Sequence, residues 1–233
     1  MNNFSILSID LAKNVFQLLG IDQSGKPCLS KRLSRAKLHE ALFNLPPCEV
    51  VMEACSSSHY WGRVCLSAGH QVNLIPAQHV TPFVRGNKND KNDCMAIYEA
   101  SRRPNIRFVP VKTEQQQAVL ILHRMRERVL TSRTACINQT RSLLLEFGIH
   151  IPKAYSIFKR TIHELLSETI QPVIRLMLLE VHEELEGYDK RIRLLDSLFR
   201  QSNAQNSSAE IMQSILGVGP IIASAFSESP RIH

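Results

Sequence analysis

Ser5-Ile-Leu-Ser-Ile-Asp10 is a short apolar run that stops on a carboxylate. Its length and β-branched residues predict a buried strand. An acid at the end of such a strand is costly unless a cation offsets its charge. The pattern returns in Glu49-Val-Val-Met-Glu53. Between these runs, Val15–Ile21 and Pro27–Leu33 read as two more strands around a turn at Gly25. Ser34 reads as the N-cap of a helix that stops before Pro46-Pro47. A helix over Ser58–Ala68 with Gly69 as its C-cap, a strand Gln71–Ile75, a basic loop, a helix Asp90–Arg102 and an extended run Arg107–Val111 complete the first half. Three meandering strands followed by helix-linked ones predict an α/β domain over 1–111, a mixed sheet with helices on its faces.

The second half carries no strand signal. Thr113 and Gln116 form a capping box that opens a helix ending near Gly148, and Ile151-Pro152 follows as a break. Ile174, Leu178, Val181, Leu185, Tyr188, Ile192, Leu195 and Phe199 then step alternately by four and three. This is a heptad seam of almost four repeats, and it predicts an all-α coiled-coil region over 112–200. A dimer zipper and an intramolecular hairpin both satisfy the pattern; a homo-oligomer through 174–199 is the expectation carried forward. Gln201–Ser208 reads as a polar linker. Ile215-Leu-Gly-Val-Gly-Pro220 lies between two short apolar helical stretches of a stub over 209–233. Its glycines, Gly217 and Gly219, can aim backbone N–H groups at a phosphate, although a packing corner between two helices has the same sequence.

The 233 residues carry a net charge of +7, and 44% are hydrophobic, so the chain has a core and favours a polyanion as partner. Cys28, Cys48, Cys55, Cys65, Cys94 and Cys136 form no C-x-x-C pair, which argues against a zinc site and for reduced thiols. Asp10 and Lys13 interrupt the N-terminal apolar stretch, so no signal peptide is read there, and no apolar run reaches membrane-spanning length. The expected location is cytoplasmic, without membrane contact.

Asp10, Glu53, Asp90 and Asp93 all fall at element boundaries, and Asp90 and Asp93 share a helix face. Each alone fits a turn or a helix first turn. Together, at one edge of an α/β sheet, they form a candidate site for a pair of Mg²⁺ ions suited to phosphodiester chemistry. Asp22 and Glu99 are the acids that compete for these roles. Lys13, Arg85, Lys88, Lys91, Arg102 and Arg103 are candidate phosphate contacts, and Arg124, Arg126, Arg128, Arg133 and Arg141 extend the cationic series. Tyr60 and Trp61 could stack on a base or pack in the core.

Ser8-Ile-Asp-Leu-Ala-Lys-Asn-Val-Phe16, Met52-Glu-Ala-Cys55, His59-Tyr-Trp61, Asn87-Lys-Asn-Asp90 with Asp93, and Arg103-Pro-Asn105 resemble the DEDD transposases of the insertion sequence 110 family, especially subgroup 1111. The resemblance runs from about Ser5 to Ala225. It implies a RuvC-like, RNase H-type domain and assigns Asp10, Glu53, Asp90 and Asp93 to the metal-binding tetrad. It further implies a coiled-coil segment, then a second catalytic domain that opens with the Gly217-Val-Gly-Pro220 turn.

The implied function is movement of an insertion sequence by DNA strand exchange, with DNA and an element-encoded structured RNA as partners. Three departures stand out. Ser56 replaces the usual glycine, and Lys91, Asn92 and Cys94 replace the usual small residues around the paired aspartates. The family's nucleophilic serine lies well beyond the G-x-G-P turn, so a truncated copy unable to complete transposition is expected. A metal-dependent RuvC-like junction nuclease and a non-catalytic nucleic-acid-binding remnant are the rival readings. A sugar-kinase or actin-like ATPase is excluded, because Leu11-Ala12-Lys13 lacks the glycines that let phosphates approach.

Overall fold

The computed structural model describes residues 4–84 and 90–227, with Asp90 described by its backbone. The chain divides into two compact units that meet in sequence at Glu114 and Gln115.

In the first unit, β1 (Ile6–Asp10), β2 (Val15–Ile21), β3 (Pro27–Ser34), β4 (Glu49–Ala54) and β5 (Gln71–Pro76) form one sheet in the order β3-β2-β1-β4-β5. The first three strands are antiparallel neighbours, whereas β4 and β5 run parallel to β1. Central β1 is apolar on both faces because both are covered. At the edge, β3 is mostly exposed and carries Lys31 and Arg32. In the β2–β3 turn, Asp22 accepts from the Ser24 and Lys26 backbone N–H groups, and Gly25 takes φ 80°. The Ser24 hydroxyl also donates to Asp22 and, with these bonds, lowers its pKa. Asp22 is therefore a turn acid.

Helices α1 (Arg35–Asn44) and α2 (Ser58–Ser67) cover one sheet face. Trp61 is 1% exposed there and packs edge-on against Phe16, which fixes it as a core residue. Tyr60 beside it is exposed. Helices α3 (Ala77–Val80) and α4 (Asp90–Ser101) cover the other face through Ile6, Leu19, Val51 and Ile75. α3 and the 3₁₀ turn Thr81–Phe83 occupy part of the expected basic loop. The expected extended run Arg107–Val111 makes an isolated bridge between Leu74 and Val109, and Pro110 has no N–H to extend it into a ladder.

The second unit is all helical among the described residues: α5 (Glu114–Leu145), α6 (Tyr155–Ser167), α7 (Pro172–Asn203), α8 (Ser207–Gln213) and α9 (Pro220–Ser227). Arg126 pairs with Asp196 at 2.8 Å and Arg133 with Asp189 at 3.0 Å. Seven residues forward on α5 match seven backward on α7, so the two form an antiparallel hairpin. The heptad residues Ile174, Leu178, Val181, Leu185 and Tyr188 pack against Ile137 and Leu144 of α5 and Phe158, Ile162 and Leu165 of α6. The seam is thus occupied within the chain, the hairpin alternative of the heptad pattern. The expected linker Gln201–Ser208 is mostly helix: α7 runs to Asn203, and the Asn206 side chain caps α8 by accepting from Ser208 and Ala209. Among the described residues no helix is long and apolar enough to cross a membrane.

Candidate metal centre

Strand register builds the site. β1 and β4 run parallel with Ser8 opposite Val51 and Ile9 opposite Met52. One step further along, Asp10 stands beside Glu53, and paired residues of neighbouring strands point to the same face. Neighbouring strands lie about 4.8 Å apart, so the two carboxylates are neighbours at the end of the parallel pair. Both are half-buried. Two acids this near favour a cation between them.

Helix α4 lies over the same face and runs the opposite way. The Ser8 hydroxyl donates to the Cys94 carbonyl at 2.7 Å, and the Cys94 thiol donates to the Gln17 carbonyl at 3.2 Å. At the other end of α4, Arg102 pairs with Glu49, the first residue of β4. These two tethers set the helix antiparallel to β1, which directs its N-terminal turn toward the Asp10–Glu53 end of the sheet. Asp93, half-buried, immediately precedes Cys94, and Asp90 is one turn earlier. The side chain of Asp90 lies outside the described residues, as do Arg85 and Lys88. Glu99 belongs to the C-terminal half of α4.

Among the described residues, no three His, Cys, Asp or Glu side chains are gathered closely enough to hold an ion. Mg²⁺ does not need such a cage. It is commonly held by one or two carboxylates, with water and substrate phosphates filling its remaining positions. An all-oxygen pair on adjacent strands is the donor type that ion takes.

The cations divide into two groups. Lys13 and Lys91 are exposed, Lys13 in the turn after β1 and Lys91 in the first turn of α4. Arg102 is engaged by Glu49 where β4 begins, and the Arg103 guanidinium lies 4.9 Å from the Phe83 ring centroid. Both guanidinium groups thus have partners within the first unit. In the second unit Arg126 and Arg133 are tied to α7. Arg141 donates to the Pro152 and Lys153 carbonyls at 2.7 Å. These three hold the helices together, leaving Arg124 and Arg128 as the exposed members of that series. Gly217 has φ 88°, and among the described residues a Cβ added at Gly217 or Gly219 would meet nothing within 4 Å, so neither glycine serves a close contact there.

One residue is missing from the sequence reading. Gln17 pairs with Asp10 across β1–β2, and Arg32 pairs with Gln17 across β2–β3. Arg32, Gln17, Asp10 and Glu53 therefore form a row across four strands on one face. Gln17 is held by bonds to the Leu18 carbonyl and the Ser30 hydroxyl. An alternating pattern on a basic edge strand was the available signal.

A family model described as Transposase, of the DEDD type of IS110, matches residues 7–149. This chain belongs to the IS110 transposase family. The IS110-family chain is 38% identical over 231 residues to a probable family 20 transposase of Pseudomonas aeruginosa, covering 97% of itself and 68% of that protein. It is 37% identical to the transposase for insertion sequence element IS1328 of Yersinia enterocolitica, covering 96% of itself and 67% of that protein. It is also 37% identical to the transposase for IS1111A of Coxiella burnetii, covering 100% of itself and 65% of that protein. The chain thus spans about two thirds of the length of these relatives.

Proposed function

We propose that this IS110-family chain acts on DNA in the movement of an insertion sequence, with Asp10, Glu53, Asp90 and Asp93 as a Mg²⁺ site for strand cleavage and recombination. The carrying observation is the shared end of the sheet: Asp10 and Glu53 each follow the last register pair Ile9–Met52, under a helix whose N-terminal turn bears Asp90 and Asp93. The strand order β3-β2-β1-β4-β5 supports reading the sheet as RuvC-like and RNase H-type. Bound Mg²⁺ would supply Lewis acidity and charge neutralisation at a phosphate. The chain's own residues orient the site. Ser8 fixes α4 over β1, Gln17 sits between Arg32 and Asp10, and Lys13, Lys91 and Arg32 supply positive charge for the backbone. The names of the relatives and the net charge of +7 support DNA as partner, and the charge equally suits a structured RNA carried by the element.

The test is strand cleavage of a branched DNA carrying the element ends, with Mg²⁺ and the element's RNA transcript. Cleavage that is lost in both Asp10→Asn and Glu53→Gln, while DNA binding persists, supports the reading. Cleavage that survives both substitutions, or binding with no cleavage under any divalent ion, contradicts it.

A further inference from the structure

Helices α6 and α7 face each other through matched positions. Lys159 of α6 is bonded to Glu186 of α7. Four residues forward on α6 stands His163, and four back on α7 stands His182. A step of four keeps the same helix face, so opposite steps on antiparallel helices meet again one turn away. The two imidazoles do meet there. Their ring centroids are 4.6 Å apart, and the rings are inclined at 69°.

Other histidines use their nitrogens in the fold. His70 bonds the Cys48 N–H and the Leu42 carbonyl, His59 accepts from Lys112, and His123 meets the Ser224 hydroxyl. Among the described residues neither His163 nor His182 has a hydrogen bond. His163 is exposed and His182 half-buried, so the pair opens to solvent.

The separation of the rings is itself informative. A metal–nitrogen bond of about 2.0–2.1 Å places an imidazole centroid about 3.2 Å from the ion. Two such rings have centroids about 4.6 Å apart when their bonds meet at a right angle, and about 5.3 Å apart at the tetrahedral angle. The spacing across α6 and α7 is the right-angle one. Adjacent positions of that kind belong to the tetragonal geometry that Cu²⁺ and Ni²⁺ prefer.

We propose that His163 and His182 form a two-nitrogen site for a divalent transition-metal ion of the Ni²⁺ or Cu²⁺ type, which joins α6 to α7. Each imidazole gives one nitrogen lone pair, and water takes the remaining positions. Among the described residues no third His, Cys, Asp or Glu is gathered with them, and Glu186, one turn from His182, is held by Lys159. The neighbouring charge of Lys159 is balanced by Glu186 and Asp189, so the ion meets no bare cation there. Imidazole suits such ions, whereas the carboxylates of the first unit suit Mg²⁺.

Titration calorimetry of the untagged full chain with Ni²⁺ tests this, with circular dichroism to check that each variant stays helical. The wild-type chain should bind Ni²⁺ in the micromolar range. His163→Ala and His182→Ala should each weaken that binding roughly tenfold or more, since each removes one of two nitrogen ligands. Both variants should keep the Mn²⁺ binding of the wild-type chain. Ni²⁺ should also raise the thermal midpoint of the helix signal in the wild-type chain and in neither variant, because an ion held between two helices binds only the folded unit. A histidine that served packing alone would lower the midpoint equally with and without Ni²⁺. Ni²⁺ binding unchanged in both variants, or weakened in one alone, overturns the proposal. So does wild-type binding no tighter than millimolar, the behaviour of a single surface imidazole.

Discussion

The Ser8 hydroxyl donates to the Cys94 carbonyl across 86 residues of sequence, at 2.7 Å and fully buried. This bond joins the middle of β1 to the first turns of α4, and so joins the strand that ends in Asp10 to the helix that begins with Asp90 and Asp93.

Ser8→Ala should therefore cost the first unit about 1 kcal/mol, the usual net worth of such a bond. It should also weaken divalent-ion binding, because α4 loses its alignment over the acids. Denaturant unfolding and an ion titration on the same variant check both effects. Lowered stability with unchanged ion affinity would show that α4 is aligned by its apolar contacts alone.

Arg32 shares a row with Asp10 and Glu53 through Gln17. Arg32→Ala should weaken DNA binding and reduce the slope of log affinity against log salt by about 0.9, the value for one phosphate contact. Arg102→Ala should leave that slope unchanged, because Arg102 is engaged by Glu49 at the far edge. Fluorescence anisotropy over a salt series separates the two.

The contrast between these arginines shows where the sequence was legible. The five first-unit strands could be read because their runs are bounded by Gly, Pro and charged residues. Asp10 and Glu53 were visible because an acid terminating a buried run is unusual. Arg32 was not, since on an edge strand a cation looks like ordinary solvation, and only the register ties it to Asp10. The partners of Arg102, Arg126, Arg133 and Arg141, which are Glu49, Asp196, Asp189 and the Pro152 carbonyl, were not legible because they are distant in sequence or on the backbone. α6 shows helical spacing at Tyr155, Phe158, Ile162 and Leu165, but it is short and follows the Ile151-Pro152 break, so its sequence signal is weaker than that of the two long helices. The heptad pattern of α7 was clear, but a periodic seam does not say which helix fills it.

Asp189 ties three helices together. It accepts from Arg133 of α5 at 3.0 Å, and from Tyr155 and Lys159 of α6 at 2.8 and 3.1 Å. Burial opposes its charge, but these three bonds outweigh that and keep its pKa below the usual value; burial, then the bond to Asp189, pushes Tyr155 up to about 12. Asp189→Ala should destabilise the second unit by about 3 kcal/mol, because it strands partly buried cations and a hydroxyl. Thermal unfolding followed by helix signal checks it.

His59 makes the first unit sensitive to acid. Its Nδ1 accepts from the Lys112 backbone N–H at 3.2 Å, which requires the unprotonated nitrogen. Burial first, and then the charges of Lys112 and Arg63, lower its pKa. The unfolded chain therefore takes up the proton first, and the contribution of His59 is complete above about pH 6.5 and is lost as pH falls through the lowered folded value. Between pH 7 and pH 5 the wild-type first unit should lose more stability than His59→Gln. Equal losses would remove His59 as the source.

The shared acid site is tested most directly by Mn²⁺ binding, read by electron paramagnetic resonance on the wild-type chain and on Asp10→Asn, Glu53→Gln, Asp90→Asn and Asp93→Asn. Each variant should keep its circular dichroism spectrum and bind Mn²⁺ at least about tenfold more weakly, as expected when one of a few charged oxygen ligands is lost. Mn²⁺ binding that is unchanged in all four variants would contradict the account.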